Sequence, residues 1–131
     1  MRNEFKGSFL KIFIDESDKY NGEPLYLEIL KVLKKENILG ATVIRGIEGL
    51  DSHHKIHSDF IEILARNLPI VIEVIESKEK INELIELIEP IIETGTITVI
   101  DNIQVISLNK KQTKKSAFLF SNHLIVFLIL P

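Results

Sequence analysis

An α+β domain of the ferredoxin-like, split βαβ type (βαββαβ) is predicted by three features of the 131-residue sequence. Two halves follow one another, each reading strand, amphipathic helix, strand. The strand candidates carry isoleucine and valine on both parities, so each face of the sheet asks for cover. Each helix candidate has a single apolar stripe, and two such helices cover only one of those faces.

The elements follow in order. FLKIFID, Phe9 to Asp15, is rich in bulky and β-branched residues and reads as the first strand. The polar run ESDKYNGE follows as a loop. Pro24 then stands where a helix accepts proline in its first turn, and Leu25, Ile29, Val32 and Leu33 recur at helical spacing. Lys34 and Lys35 favour the C-terminal end of that helix, and Asn37 and Gly40 suit its stop. GATVIRGIEGL, Gly40 to Leu50, is the second strand, with Ala41, Val43, Arg45 and Ile47 on one face and Thr42, Ile44, Gly46 and Glu48 on the other. An arginine on a core-like face means that the strand leaves the core at Gly46 or that Arg45 meets something that offsets its burial.

In residues 53–67, Ile56, Phe60 and Leu64 match a helix while Ile61 and Ile63 match a strand, so periodicity leaves the structure type open. LPIVIEVIES is the third strand, with Ile70, Ile72 and Val74 on one face and Val71 and Ile75 on the other. Ser77 suits the N-cap of a second helix whose Ile81, Leu84, Ile85 and Ile88 form one stripe, and Pro90 kinks or ends it. TGTITVIDNIQVISL supplies the last strand, with Asp101-Asn102 marking a bulge or turn between Ile100 and Ile103. Because the helices cover one sheet face, the other is expected to be buried by neighbouring subunits.

Composition narrows the function. A hydrophobic fraction of 45% with 27% charged residues suits one globular domain. A net charge of −3 and a pI near 5.8 argue against nucleic-acid binding. Without cysteine there is no disulfide, thiolate metal site or thiol nucleophile, which fits a reducing compartment such as the cytoplasm. MRNEFKGSFLKIF lacks the apolar core of a secretory signal. The expected division is an N-terminal extension over 1–8, a domain over 9–108 and a tail over 109–131. In that tail Lys110, Lys111, Lys114 and Lys115 precede the apolar run Ala117 to Pro131, which is shorter than the roughly 20 residues a spanning helix needs. The tail has three readings: an anchor on an anionic membrane surface, a segment packed on the domain or a partner subunit, or an extension foreign to the domain.

Several residues carry candidate chemistry. Arg45, flanked by Gly40, Gly46 and Gly49, presents a guanidinium suited to bidentate binding of a phosphate or carboxylate; an intersubunit ion pair with Glu48 of a neighbour is the alternative. His53, His54 and His57, with Asp51 upstream, could share zinc or copper, or could be solvated loop histidines. In ESDKYNGEPLY, Glu16, Ser17 and Asp18 offer oxygens and Tyr20 a stacking ring, against the plainer reading of a turn before the helix. Glu83, Glu86 and Glu89 read as a solvated helix face. No Walker A or G-x-G-x-x-G cradle occurs, and no nucleophile, base and orienting group are spaced as a catalytic set, so the chain reads as a non-enzyme.

In order and spacing, GATVIRGIEG, NLPIVIEVIES and ETGTITVIDNIQVI resemble stretches of PII signalling proteins. Together with ESDKYNGEPLY they are more similar still to the PII-like domain-of-unknown-function family 190. The resemblance spans about Phe9 to Leu108. It implies a PII-like homotrimer with sheets facing inward, adenine-nucleotide binding in clefts between subunits, and a loop, here about Leu50 to Asn67, that touches transporters or enzymes. Ligand binding is expected of Arg45, Gly46, Glu48, Gly49, Lys55, His57, Thr94 and Gly95, beside the loop residues Glu16, Ser17, Asp18 and Tyr20; Arg45 and Lys55 rest on their chemistry and match no PII motif. His57 is the histidine that matches the family pattern. Thr94 and Gly95 match the TG of the last PII loop but no lysine follows, so phosphate contacts fall to Arg45, Lys55 or the lysines after Leu108. The expected function is a trimeric regulator that binds a small anionic ligand, an adenine nucleotide, and controls a protein partner such as a membrane transporter. The alternatives are a metal-binding trimer similar to the CutA copper-tolerance proteins and a membrane-associated adaptor acting through the tail.

Overall fold

In chain order the elements are β1 (Arg2–Asp15), β2 (Lys19–Tyr20), β3 (Glu23–Pro24), α1 (Leu25–Lys35), β4 (Gly40–Arg45), β5 (Glu48–Leu50), β6 (Ile56–Ser58), β7 (Pro69–Glu76), α2 (Lys78–Ile88), β8 (Thr96–Leu108) and β9 (Ile125–Ile129). The structure is a computed structural model that describes residues 2–50, 56–58, 68–110 and 125–129. β1 lies between β7 and β8, and β7 between β1 and β4, all antiparallel, in the order β8-β1-β7-β4. With α1 joining β1 to β4 and α2 joining β7 to β8, this is the predicted ferredoxin-like arrangement.

Alternation on each strand aims one set of side chains at the helices. Leu10, Ile12 and Ile14 of β1, Ala41 and Val43 of β4, and Ile70, Ile72 and Val74 of β7 are buried in one cluster with Leu25, Ile29 and Leu33 of α1 and Ile81, Leu84 and Ile88 of α2. Val32 and Ile85 lie at its margin, partly buried. The opposite face of the sheet remains apolar: Phe13, Ile75 and Ile100 are 41%, 39% and 54% exposed. Its charges are matched, with Lys11 3.5 Å from Glu73 and 5.1 Å from the centroid of the Phe9 ring.

The helix ends follow local chemistry. The Ser77 hydroxyl accepts the Lys80 N–H at 3.2 Å, and α2 stops at Ile88 because Pro90 enters a 3-10 turn, Glu89–Ile91. α1 has no side-chain cap; its Leu25 N–H donates instead to the Asp18 carbonyl at 2.8 Å. Asn37 ends the helix with φ of 56°, a left-handed value that asparagine tolerates.

Three regions differ from the sequence expectation, and in a fourth the tail follows one of its three readings, packing on the domain. The first strand starts at Arg2, seven residues before Phe9, because β8 is long enough to pair with it as far as Leu108. The polar loop holds a small hairpin, β2 and β3, turned by Asn21 and Gly22 at φ of 51° and 82°, the positive pair that a two-residue type I′ turn requires. The second strand breaks after Arg45, and Glu48–Leu50 pairs with Ile56–Ser58 instead; Phe60, Ile61, Ile63 and Leu64 lie outside the described residues. Part of the apolar tail, Ile125–Ile129, lies parallel to β4 as a fifth strand and satisfies an edge that would otherwise leave backbone groups unpaired. No helix among the described residues is long and apolar enough to cross a membrane.

Asp101-Asn102 is a bulge, not a turn. The β1–β8 register moves from Gly7↔Ile103 to Phe9↔Ile100, and Asn102 takes φ of 58°. The buried Ser8 hydroxyl donates to Asp101 at 2.8 Å, and Lys78 lies 2.9 Å from the same carboxylate. Those two donors, Lys78 foremost, hold the Asp101 carboxyl below its ordinary value. Opposite the bulge, a Cβ on Gly7 would sit 2.7 Å from the Glu76 carbonyl oxygen and 3.0 Å from the Phe5 ring. Gly7→Ala should therefore lower stability by about 1–3 kcal/mol, the usual cost of overpacking, read as a lower urea midpoint; an unchanged midpoint would contradict this packing.

Candidate anion-binding site

Arg45 closes β4 on the helix-covered face, where a lone guanidinium would be costly. Glu16 meets it: Nε to Oε2 is 2.5 Å and Nη2 to Oε1 is 3.1 Å, a bidentate fork. Both side chains are 17% exposed, so the pair is largely shielded, yet still reachable from solvent, and removing one partner would leave the other charge poorly solvated. The partner that offsets the burial of Arg45 thus comes from its own chain, 29 residues earlier.

Backbone bonds fix this pair at the root of the 46–67 segment. The Glu16 N–H donates to the Leu68 carbonyl and the Gly46 N–H to the Pro69 carbonyl, each at 2.8 Å. Arg45 is the last β4 residue before the segment, and Leu68 the residue at which the described chain resumes after it. Glu16 therefore bridges entry and exit.

The turn that carries Glu16 is pre-organised. Asp15 Oδ1 accepts the Ser17 N–H at 3.0 Å and the Ser17 hydroxyl at 2.9 Å, while Asp18 Oδ2 accepts the Asp15 N–H at 2.8 Å. Burial pushes the Asp18 carboxyl above its ordinary value of 3.8; the Asp15 N–H opposes this, and the charges of Asp15 and Glu93 add to it.

Thr94 and Gly95 reach the same end of the sheet. A Cβ on Gly95 would sit 2.9 Å from the Phe13 carbonyl oxygen, so glycine lets this turn press on the end of β1. Beside it a groove of about 420 Å³ opens, floored by Ile85, Ile92, Ile97 and Val99 and edged by Glu89 and Glu93. A second groove, about 310 Å³, lies on the uncovered face near the start of β4, bordered by Phe9, Thr42, Glu73, Ile75 and Val105. It is remote from Arg45, which ends the same strand.

Of the expected site residues, Arg45, Gly46, Glu16, Ser17, Asp18, Thr94 and Gly95 converge at this end of the sheet. Gly49 and His57 face each other in the β5–β6 register, and Glu48 faces Ser58. Tyr20 packs, partly buried, against the core cluster. Lys55, His53, His54 and the lysines beyond Lys110 lie outside the described residues. Residues not singled out in the sequence contribute too. Asp15 could have been found from D-x-S, the spacing of an aspartate turn, and the hairpin from Asn-Gly. The Leu68 and Pro69 carbonyls carry no side-chain signal.

The four-strand order and two helices define a ferredoxin-like α+β fold. The chain belongs to domain-of-unknown-function family 190 (DUF190, "Uncharacterized ACR"), whose model matches residues 7–105. It is 36% identical over 100 residues to the UPF0166 protein MJ1524 of Methanocaldococcus jannaschii, an alignment covering 76% of this chain and 92% of that one. A UPF0166 protein of Aquifex aeolicus is 34% identical over 103 residues, covering 79% and 96%. Among solved structures, CPII of Thiomonas intermedia K12, a nitrogen regulatory PII-like protein bound to ADP, AMP and bicarbonate, superposes with a TM-score of 0.61 at 21% identity, covering 79% of this chain and 91% of that one. The divalent ion tolerance protein CutA1 of Ehrlichia chaffeensis gives 0.51 at 17% identity, covering 93% and 94%. At these identities the structural likeness is one of fold.

Asp18 gives a pH test. A carboxyl whose folded value is raised supports folding below the unfolded value, and that support is lost as pH rises through the folded value. Asp18→Asn keeps an acceptor for the Asp15 N–H but no titrating charge. The variant should gain stability relative to the parent as pH rises from below 3.8 toward neutrality, measured by urea unfolding across that range; a pH-independent difference would contradict the burial of Asp18.

Proposed function

We propose that the protein is a PII-like regulatory subunit. As a homotrimer it takes a small anionic ligand, an adenine nucleotide, in clefts between subunits, and the ligand alters how the 46–67 segment engages a protein partner such as a transporter. The observation that carries this reading is Arg45 itself: a shielded guanidinium, reachable from solvent, at the root of the segment.

Electrostatics favour Arg45 as the anion's anchor. Once the Glu16 carboxylate is displaced, a unit charge 4 Å from the guanidinium gains about 4 kcal/mol at an effective dielectric of 20, whereas the groove edged by Glu89 and Glu93 repels anions. Its apolar floor suits an uncharged ring better than a phosphate. Gly46 and Gly49 carry no Cβ to hinder a ligand's approach, Thr94 offers a hydroxyl beside Gly95, and Glu48, Lys55 and His57 lie within the 46–67 segment. The fold of CPII, solved with ADP and AMP, supports the choice of adenine nucleotide.

The uncovered sheet face supports the trimer. Completing the burial of Phe13, Ile75 and Ile100 would contribute a few kcal/mol per subunit, on a scale of about 1.5–3 kcal/mol for each large side chain. The Lys11–Glu73 pair beside them is worth about 0–1 kcal/mol, so burial decides the balance.

ATP, ADP or AMP at millimolar concentration should raise the melting temperature. A ligand at 100 times its dissociation constant adds about 2.7 kcal/mol, and Arg45→Gln should remove the shift. Melting curves that do not move with any of the three nucleotides would contradict the reading.

A further inference from the structure

Glu16 has a role that reaches beyond holding Arg45. We propose that its carboxylate is a built-in competitor that occupies the anion site, restricts it to phosphoryl-class ligands, and links ligand arrival to the root of the 46–67 segment. This rests on the reading that Arg45 binds the ligand's anionic group.

The geometry supplies the argument. Glu16 engages Nε and Nη2 together, the fork that matches a carboxylate or phosphate, so an incoming anion meets a guanidinium already neutralised on its best edge. The competing carboxylate is tethered, and a tethered group acts at an effective concentration of order millimolar or higher. A free monocarboxylate offers the same charge and the same two oxygens without the tether, and it loses. A phosphoryl group carries about −1.5 to −2 charges and three acceptor oxygens, and it wins the exchange on charge. Glu16 is thus a specificity-determining residue that screens out monoanions.

Its main chain adds the second consequence. The Glu16 N–H holds the Leu68 carbonyl while the Glu16 side chain holds Arg45, so a single residue joins the two ends of the segment. Loss of the side-chain contact leaves the exit bonded to the Glu16 N–H, while the entry keeps only its backbone bond from the Gly46 N–H to the Pro69 carbonyl. The neighbouring carboxylates cannot substitute easily, because Asp15 and Asp18 are committed to their own turn.

The test is calorimetric titration of the full chain and its Glu16→Gln variant with ATP and, separately, with acetate. Glutamine keeps an acceptor for the guanidinium but removes the charge. If the competitor holds Arg45 nine times in ten, the parent binds about tenfold more weakly than its open form, so Glu16→Gln should bind ATP about tenfold more tightly. Acetate should leave the parent silent. Amide exchange at Gly46 should be faster in the nucleotide-free variant than in the parent and equal to that of the ATP-bound parent. A double variant, Glu16→Gln with Arg45→Gln, removes both charges together, leaves neither buried alone, and should lose ATP binding. ATP binding to the parent with equal or weaker binding to Glu16→Gln would overturn the competitor while leaving the function above intact. Acetate binding to the parent as tightly as ATP would overturn the screening. Absence of ATP binding in parent and variant alike would instead remove the anion site itself.

Discussion

A four-stranded sheet has two faces, and two helices can dry only one. Everything else in this molecule is arranged around that constraint. The strands had to be two-sided for β7 to carry Ile70, Ile72 and Val74 inward and Val71 and Ile75 outward, and the outer set is apolar where a solvated face would be polar. Lys11 and Glu73 interrupt that face as a matched pair, which fixes register and suppresses wrong partners more than it adds stability.

The edges of the sheet are treated differently from its face. On the β4 side, Ile125–Ile129 adds a parallel strand, so the backbone there is satisfied within the chain. On the β8 side, the bulge at Asp101-Asn102 redirects the strand and is pinned to α2 through Lys78 and to β1 through Ser8. Beyond the bulge, Arg2 to Gly7 pairs with β8 alone among the sheet strands, leaving a two-stranded ribbon with Ile106 and Leu108 exposed. Two-stranded ribbons are marginal by themselves, which again points to cover from another copy.

How far the sequence discloses this depends on the range of each interaction. Leu25, Ile29 and Leu33, and likewise Ile81, Leu84 and Ile88, were legible because helical spacing is a local property, and all six are buried. Arg45 was legible as an oddity, since a charge on a core-facing parity demands a partner. The identity of that partner was not, because Glu16 and Arg45 meet only after β7 has brought the ends of β1 and β4 to the same edge. The N-terminal part of β1 was hidden for a related reason: Arg2, Asn3, Glu4 and Lys6 have no strand-like composition, and their pairing is imposed by β8 roughly a hundred residues later. The tail showed its apolarity but not its destination, which is set by an unfilled edge rather than by any pattern of its own.

On this reading the folded subunit is incomplete, and its open face becomes dry only against other copies. Multi-angle light scattering on the full chain at micromolar concentration measures this directly. The expected mass is three times that of the 15.0 kDa subunit. A stable, monodisperse single subunit would contradict it, because Phe13, Ile75 and Ile100 would then stay in contact with water.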